Sequence, residues 1–411
     1  MDKLTDEQLS VFKNLEKGNN VYLRGSAGTG KTYTIICLKE WAKRRYIRVG
    51  ITAMTGCAAL LINGSTLHSF LGIGLASKTA EELAQYTLGR RAFFVKKLKA
   101  VKMLVIDEVS MLDKILFEKI SKYLQIIRKL EAPFGGIQVV LCGDFCQLPP
   151  VKGEYCFKSD LWNELNLKEC YLTKSFRQAN DSTFQNLLES IREGKLSNEN
   201  CDLLSKLQQT EFKYGIEPTK LYPLCANIDQ INENNFNKLI KMGNKEMTYK
   251  TSISELAKKD PIWVEQQKIP EKIHLCVGCQ VFVTHNISVD TGLVNGTRGV
   301  IKELTESSVI ICKTNGVDQV VPFHSVCHED DKENIWIDFM PLRLAFALTI
   351  HKSQGMTLDA IEIDLGKNIF EYGQAYTAIS RAKNLSSIRL IHFDNNVFKT
   401  HSDVLKLYNK S

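Results

Sequence analysis

No run in this 411-residue chain approaches the roughly 18 consecutive apolar residues that a membrane span requires, so no membrane partner is expected. The opening "MDKLTDEQLS" is acidic and polar, without the apolar core of a secretory leader or the arginines of a transit peptide. Internal repeats, low-complexity tracts and long linkers are also missing. No Asn-Lys-x-Asp occurs: Asn237-Lys238, Asn244-Lys245 and Asn409-Lys410 all lack the aspartate, which argues against a guanine-specific GTPase. Strong net charge is lacking too. Lys and Arg number 53 against 46 Asp and Glu, and a surplus of +7 permits a polyanionic partner without demanding one. Twelve cysteines are scattered, several inside apolar runs such as "VVLCGD", as suits reduced thiols in a cytoplasmic or nuclear compartment. Cys276 and Cys279 form Cys-x-x-Cys, with His324, Cys327 and His328 downstream. That pair runs straight into the strand-like "QVFVTHNI" and no second tight pair faces it, so no structural zinc is expected.

What is present is an alternation. Leu9, Phe12 and Leu15 follow Thr5 at helical spacing, and "NVYLR" (20–24) then reads as a strand. A Gly-rich turn and a helix over 31–44 come next, followed by strands at "IRVGIT" (47–52), "KMLVID" (102–107) and "IQVVLCGD" (137–144). Strands alternating with helices imply a parallel sheet covered on both faces, hence an α/β fold. The pattern restarts after residue 170 with "KLYPLCA" (220–226), a polar helix at 228–241, "LAFALTI", "AIEIDL" and "SIRLIHF". Residues 280–340 instead carry short β-like pieces such as "LVNGTRGVI" and "SVIICK". The basic segment "GRRAFFVKKLKAVK" (89–102) reads as an amphipathic helix with buried phenylalanines and solvated lysines.

"GSAGTGKT" (25–32) is the phosphate cradle: Gly25, Ser26, Ala27, Gly28, Thr29 and Gly30 wrap backbone N–H groups around phosphate oxygens. Lys31 would reach the β- and γ-phosphates, and the Thr32 hydroxyl would hold Mg²⁺. Asp107 ends an apolar strand in "LVIDEVSM", where a parallel sheet presents ligand-binding groups; it is the second Mg²⁺ ligand, and Glu108 the general base. Gln147 in "LCGDFCQLPPV" is placed to sense the γ-phosphate or orient water. Thr5 and Gln8 fit a capping box, but a glutamine just before a cradle can equally read an adenine edge; spacing leaves both open. Arg177 in "LTKSFRQ" and Arg381 in "QAYTAISRAKN" are candidates for a γ-phosphate arginine, although either could be an ordinary solvated residue. "HKSQGMTLD" (351–359) and "TAMTGCAALLINGSTLHSF" (52–70) offer short donors suited to phosphate and sugar oxygens, or are two polar loops.

In this order, "GSAGTGKT", "TAMTGCAAL", "GSTLHSFLGIG", "DEVSML", "CGDFCQLPPV", "SFRQ", "LVNGTRGV", "TIHKSQGMTLD" and "YTAISRA" make the chain resemble the PIF-type DNA helicases, superfamily-one relatives of the RecD helicases. The likeness runs from residue 4 to about 393. It implies two RecA-like lobes, over 1–170 and over 171–284 with 341–411, a wedge loop near 66–78 and an SH3-like β insertion over 285–340. It implies an ATP-dependent motor moving 5′ to 3′ on single-stranded DNA and opening forked or tailed duplexes, in replication, repair or recombination. Gln8 then contacts adenine, Gly355 joins the ATP-binding residues, and Arg177 and Arg381 become γ-phosphate fingers. Thr55, Gly56, Thr66, His68, His351, Lys352 and Ser353 become strand contacts. Met54 stands where the family's Ala-Pro-Thr-Gly form has proline. Little sequence flanks the motifs, so the resemblance implies a bare, monomeric motor. An RNA-directed helicase on the same scaffold, or a ring-forming ATPase with an arginine supplied in trans, are the competing readings.

Overall fold

The computed structural model describes residues 4–409 except 152, 213–217, 224–227, 260, 289–290, 292, 294–296, 314–315, 328–333 and 367. It resolves into two compact units. The first comprises the chain to Leu203 with Leu365–Asn384 and Phe393–Ser411; the second comprises Leu204–Asp364 with Leu385–His392. Residues 171–203, 365–384 and 393–411, assigned to a second lobe by sequence, thus pack with the first unit.

The first unit is built on a six-stranded sheet. Its strands are β1 (Val21–Gly25), β2 (Val49–Ala53), β3 (Ser65–Thr66), β4 (Met103–Asp107), β5 (Gln138–Gly143) and β6 (Lys168–Leu172), in the order β3-β2-β4-β5-β1-β6. Every pairing is parallel, with Val21 opposite Val140 and Met103 opposite Gln138. β1 and β4 are buried along their whole length, which is why they read as unbroken apolar runs rather than alternations. Helices α1 (Asp6–Glu16) and α2 (Lys31–Arg44) bury Phe12, Leu15, Leu38 and Trp41 against the strands. Because β4, β5 and β1 are adjacent, their carboxyl ends bring Asp107, Gly143 and Gly25 to one edge, about 10 Å across.

The segment 80–100 forms two helices, Ala80–Arg90 and Ala92–Ala100, rather than one. Only Leu98 of the second is buried, and Phe93 is 52% exposed, contrary to the expectation of buried phenylalanines. Phe93 instead packs edge-on against its half-buried neighbour Phe94, ring centroids 5.9 Å apart.

In the second unit Ala347–Thr349, Thr219–Tyr222 and Ile361–Leu365 pair in parallel, with Ile388–Phe393 as the outer strand. A separate antiparallel sheet runs Asp318–Pro322, Ser308–Lys313, Arg298–Leu304, Gln280–Val283 and Leu342–Leu344. The β insertion therefore recruits strands on both sides of the expected 285–340. Arg298, buried, donates to Ala360 O at 2.9 Å and to Gln280 Oε1 at 2.5 Å, bracing this sheet against the end of the 351–359 tract. Val294, Asn295 and Gly296 of "LVNGTRGV", His328, and the end of "KLYPLCA" lie outside the described residues. Among the described residues no helix is long and apolar enough to cross a membrane.

Candidate active site

β1 delivers the chain into the cradle, where Gly28 and Gly30 have φ of +87° and +89°. Only glycine adopts that geometry without strain, and the space is taken as well. A Cβ at Gly28 would lie 2.7 Å from Arg177 Cβ, and one at Gly30 would lie 2.9 Å from Gln8 Nε2. Lys31 folds back over its own loop, donating from Nζ to Gly25 O at 2.7 Å and Ser26 O at 2.9 Å. Thr29 Oγ1 donates to Ser26 O, and half-buried Thr32 stands in the first turn of α2. The N-terminus of that helix adds partial positive charge to the cradle.

Asp107 and Glu108 are both buried at the end of β4. Asp107 Oδ1 accepts the Glu108 N–H at 2.9 Å, and Glu108 has a left-handed φ of +55°, a conformation that costs a non-glycine residue free energy. Burial, and then the neighbouring Glu108 charge, push the Asp107 carboxyl up to about 7, although Lys31 pulls the other way. A buried carboxylate pair, with Lys31 of the cradle acting on it, is a hard-oxygen set whose charge a divalent cation such as Mg²⁺ would relieve. Asp107 and Thr32 therefore fit that ion. Among the described residues no cluster of three or more His, Cys, Asp or Glu assembles as metal ligands.

Arg177 and Arg381 come to the same region, both within the first unit. Arg177 Nη1 donates to Ser380 O at 2.7 Å, while Arg381 donates from Nε to Thr377 O at 2.9 Å and from Nη2 to Ser380 Oγ at 2.8 Å. Gln178 Nε2 donates to Ala382 O at 3.0 Å, locking the two segments together. Burial and the neighbouring Arg381 charge draw Arg177 down to about 9, and burial lowers Arg381 as well. Two guanidiniums held at such a cost suit an anion between them. Gln147 is buried, its N–H given to Asp144 O at 2.9 Å.

Gln8 takes part in the capping box and keeps its amide nitrogen unpaired. Its Oε1 accepts the Thr5 N–H at 3.0 Å, and the Thr5 hydroxyl accepts the Gln8 N–H at 3.3 Å, which is the capping box. Its Nε2 is buried beside Gly30 with no hydrogen-bond partner. A buried donor left unpaired costs about 1–3 kcal/mol, which a bound acceptor would offset.

The strand-contact candidates divide. Thr55 and Thr66 cap the helices Gly56–Leu61 and Leu67–Leu71, their hydroxyls accepting the N–H of Ala58 and Ser69. Gly56 opens the first of these helices, and His68 is half-buried in the second. In the second unit Lys352 is exposed and His351 half-buried in the helix Ile350–Ser353. Ser353 is fully buried and donates to Ile350 O at 2.8 Å, so its hydroxyl is spent inside the fold, against the expectation of a strand contact. Gly355 follows with φ +81°, also in the second unit.

Sequence reasoning missed Asp144, Arg192 and Tyr376. The cradle's Ala27 N–H donates to the Tyr376 hydroxyl at 3.0 Å, which donates to Asp144 Oδ2 at 3.3 Å. Burial works against the Asp144 charge, but the Arg192 guanidinium holds its carboxyl below the ordinary range. Asp144 and Tyr376 sat inside quoted motifs; nothing in local spacing marks Arg192 as their partner.

Known proteins resemble this chain along its length. Residues 3–202 match the PIF1-like helicase family, and residues 264–304 match the 2B domain of the DNA helicase Pif1. The chain is 36% identical over 431 aligned residues to the ATP-dependent DNA helicase PIF1 of Danio rerio, covering 99% of this chain and 64% of that protein. It thus spans just under two thirds of the curated relatives it matches first. The Pif1 helicase of Candida albicans superposes with a TM-score of 0.81 at 31% identity, covering all of both chains. Bacteroides Pif1 in complex with ADP-AlF3 and single-stranded DNA superposes at 0.68 with 26% identity, covering 99% and 96%. With the motifs, the parallel sheet and the full-length likeness in agreement, this chain belongs to the PIF1-like helicase family.

Proposed function

We propose that this protein is an ATP-dependent DNA helicase, translocating 5′ to 3′ on single-stranded DNA and parting forked or tailed duplexes ahead of it. The observation that carries the reading is convergence: the 25–32 cradle, the 107–108 carboxylates and arginines 177 and 381 lie in one unit. ATP would lie along the cradle, with Gln8 Nε2 donating to the adenine edge. Lys31 would exchange its Gly25 and Ser26 carbonyls for the β- and γ-phosphates. Mg²⁺ held by Thr32 and Asp107 would neutralise charge on the phosphate oxygens. Glu108 accepts the proton of the attacking water, Gln147 orients that water, and Arg177 and Arg381 take up charge developing on the γ-phosphoryl group. Both arginines are supplied in cis, which favours a monomeric motor over a ring that borrows one.

Thr55, Gly56, Thr66, His68, His351 and Lys352 would track the strand, chiefly through phosphate and sugar oxygens. In this reading the two units are the RecA-like lobes, the Gln280–Leu344 sheet is the SH3-like insertion, and 66–78 is the wedge. The protein works in a reducing compartment on DNA during replication, repair or recombination. The test is unwinding of two labelled duplexes, one 5′-tailed and one 3′-tailed, with Mg²⁺ and ATP and with Lys31→Ala as control. Opening of the 5′-tailed duplex alone is expected. Opening of the 3′-tailed one alone, or full activity in Lys31→Ala, would refute the reading.

A further inference from the structure

Asp144, fully buried at the end of β5, gathers donors from four parts of the chain. Arg192 donates from Nε to Oδ2 at 3.0 Å and from Nη2 to Oδ1 at 3.2 Å, and the Cys146 N–H donates to Oδ1 at 3.1 Å. Tyr376 donates to Oδ2 at 3.3 Å and Tyr408 to Oδ1 at 3.2 Å. Each phenol also accepts a main-chain N–H, Tyr376 from Ala27 and Tyr408 from Phe145 at 2.9 Å. Tyr408 further shares a 3.1 Å hydrogen bond with the Tyr22 hydroxyl on β1, and its ring lies 4.6 Å from the Arg24 guanidinium. Through one hydroxyl, the helix Ser402–Asn409 thus reaches Tyr22 on β1 and the turn that follows the adjacent strand β5.

A tyrosine that merely filled space would need one partner for its hydroxyl. Here two tyrosines each accept from the main chain and donate to the same carboxylate, which fixes the direction of both its oxygens. One arm ends on a cradle N–H. The other holds Phe145 beside Cys146, whose own N–H bonds Asp144 and which precedes Gln147. Gly373, the N-cap of the Gln374–Ile379 helix that carries Tyr376, sits where any Cβ would collide with the Cys146 and Gln147 carbonyls, so the start of that helix and the Gln147 turn are in direct contact.

We infer that Tyr376, Asp144 and Tyr408 form a positioning relay that sets the cradle at Ala27 against the Gln147 turn, making the Ser402–Asn409 helix a working part of the ATPase. The inference rests on the ATPase reading above. None of the three is a catalytic residue; they act through Ala27 and Gln147. The relay bears on groups aimed at the reacting γ-phosphate, so its loss lowers kcat more than it raises KM, since small misplacements of such groups are costly in rate.

The test compares Tyr408→Phe, Tyr376→Phe and the double variant. ATPase kinetics are measured with a saturating single-stranded oligonucleotide, alongside thermal midpoints and amide exchange of the 25–32 peptide without nucleotide. Tyr408→Phe is expected to lower kcat roughly tenfold, keep KM within about twofold, and speed exchange at 25–32. Because both hydroxyls act through Asp144, the double variant should lose little more than the worse single one. Wild-type kcat in Tyr408→Phe, or additive losses that follow the thermal midpoint, overturn the relay. Should Tyr408→Phe fail to fold, Tyr376→Phe carries the same expectations. If the parent chain hydrolyses no ATP, the motor reading falls and exchange alone decides: faster exchange upholds the relay, and unchanged exchange overturns it.

Discussion

Replacing Asp107 with asparagine should stabilise the nucleotide-free protein while destroying its activity, and the gain should depend on pH. The Asp107 carboxyl is pushed from an ordinary value of 3.8 to about 7 by burial and by Glu108. Below pH 3.8 folded and unfolded chains both hold this proton; between 3.8 and about 7 only the folded chain does; above that neither does. The stability that this group contributes is therefore fully present at low pH and lost as pH rises through that window. Each tenfold change in proton affinity is worth about 1.36 kcal/mol, so the total across the window is about 4 kcal/mol. About 2 kcal/mol of it falls between roughly pH 5.5 and 8. Asparagine keeps an oxygen to accept the Glu108 N–H but carries no charge. The difference in stability between Asp107→Asn and wild type should thus grow by about 2 kcal/mol from pH 5.5 to 8, or about 4–8 °C in the transition of the first unit. Thermal unfolding in chelator, without nucleotide, measures it. Adding Mg²⁺ at pH 8 should raise the wild-type midpoint and leave the variant unmoved. A gain that is flat with pH, or a variant less stable than wild type at pH 8, would refute the reasoning.

Other outcomes follow from the same site. Arg177→Ala and Arg381→Ala should each lower the DNA-stimulated kcat about 10³-fold with little change in KM for ATP, read in steady-state kinetics. Gly28→Ala, forced to adopt φ +87° against the Arg177 side chain, should cost about 1–3 kcal/mol in urea unfolding and abolish retention of a fluorescent ADP. Arg192→Met strands the buried Asp144 charge and should destabilise the protein by about 3–5 kcal/mol near neutral pH; a loss below about 1 kcal/mol would contradict the ion pair described here.

Much of the candidate site was legible because its signals are local. A glycine pattern between a strand and a helix, an acidic pair ending an apolar strand, and a capping box each depend on residues within one turn or one strand. The observed Lys31–Arg44 helix and Met103–Asp107 strand fall where periodicity placed them. Other features depend on which surfaces meet. Phe93 reads as core on a helical wheel, yet its helix reaches the core through Leu98 alone. Ser353 looks like a free donor in a polar run, yet it is sealed beneath its own helix. Ser353 and Phe93 show the same gap: composition gives a residue's chemistry, not the direction in which its neighbours leave it room.

What the sequence determined by itself was the parallel α/β sheet, the phosphate cradle and its acidic pair, because hydrophobic period and glycine placement act over a few residues. Tertiary structure alone decided that residues 365–384 and 393–411 join the first unit, that Gln8 keeps an unpaired amide nitrogen beside Gly30, and that Arg192 balances Asp144. Those outcomes rest on burial and on contacts between segments as many as 386 residues apart, as in the Tyr22–Tyr408 bond, and no local pattern encodes them.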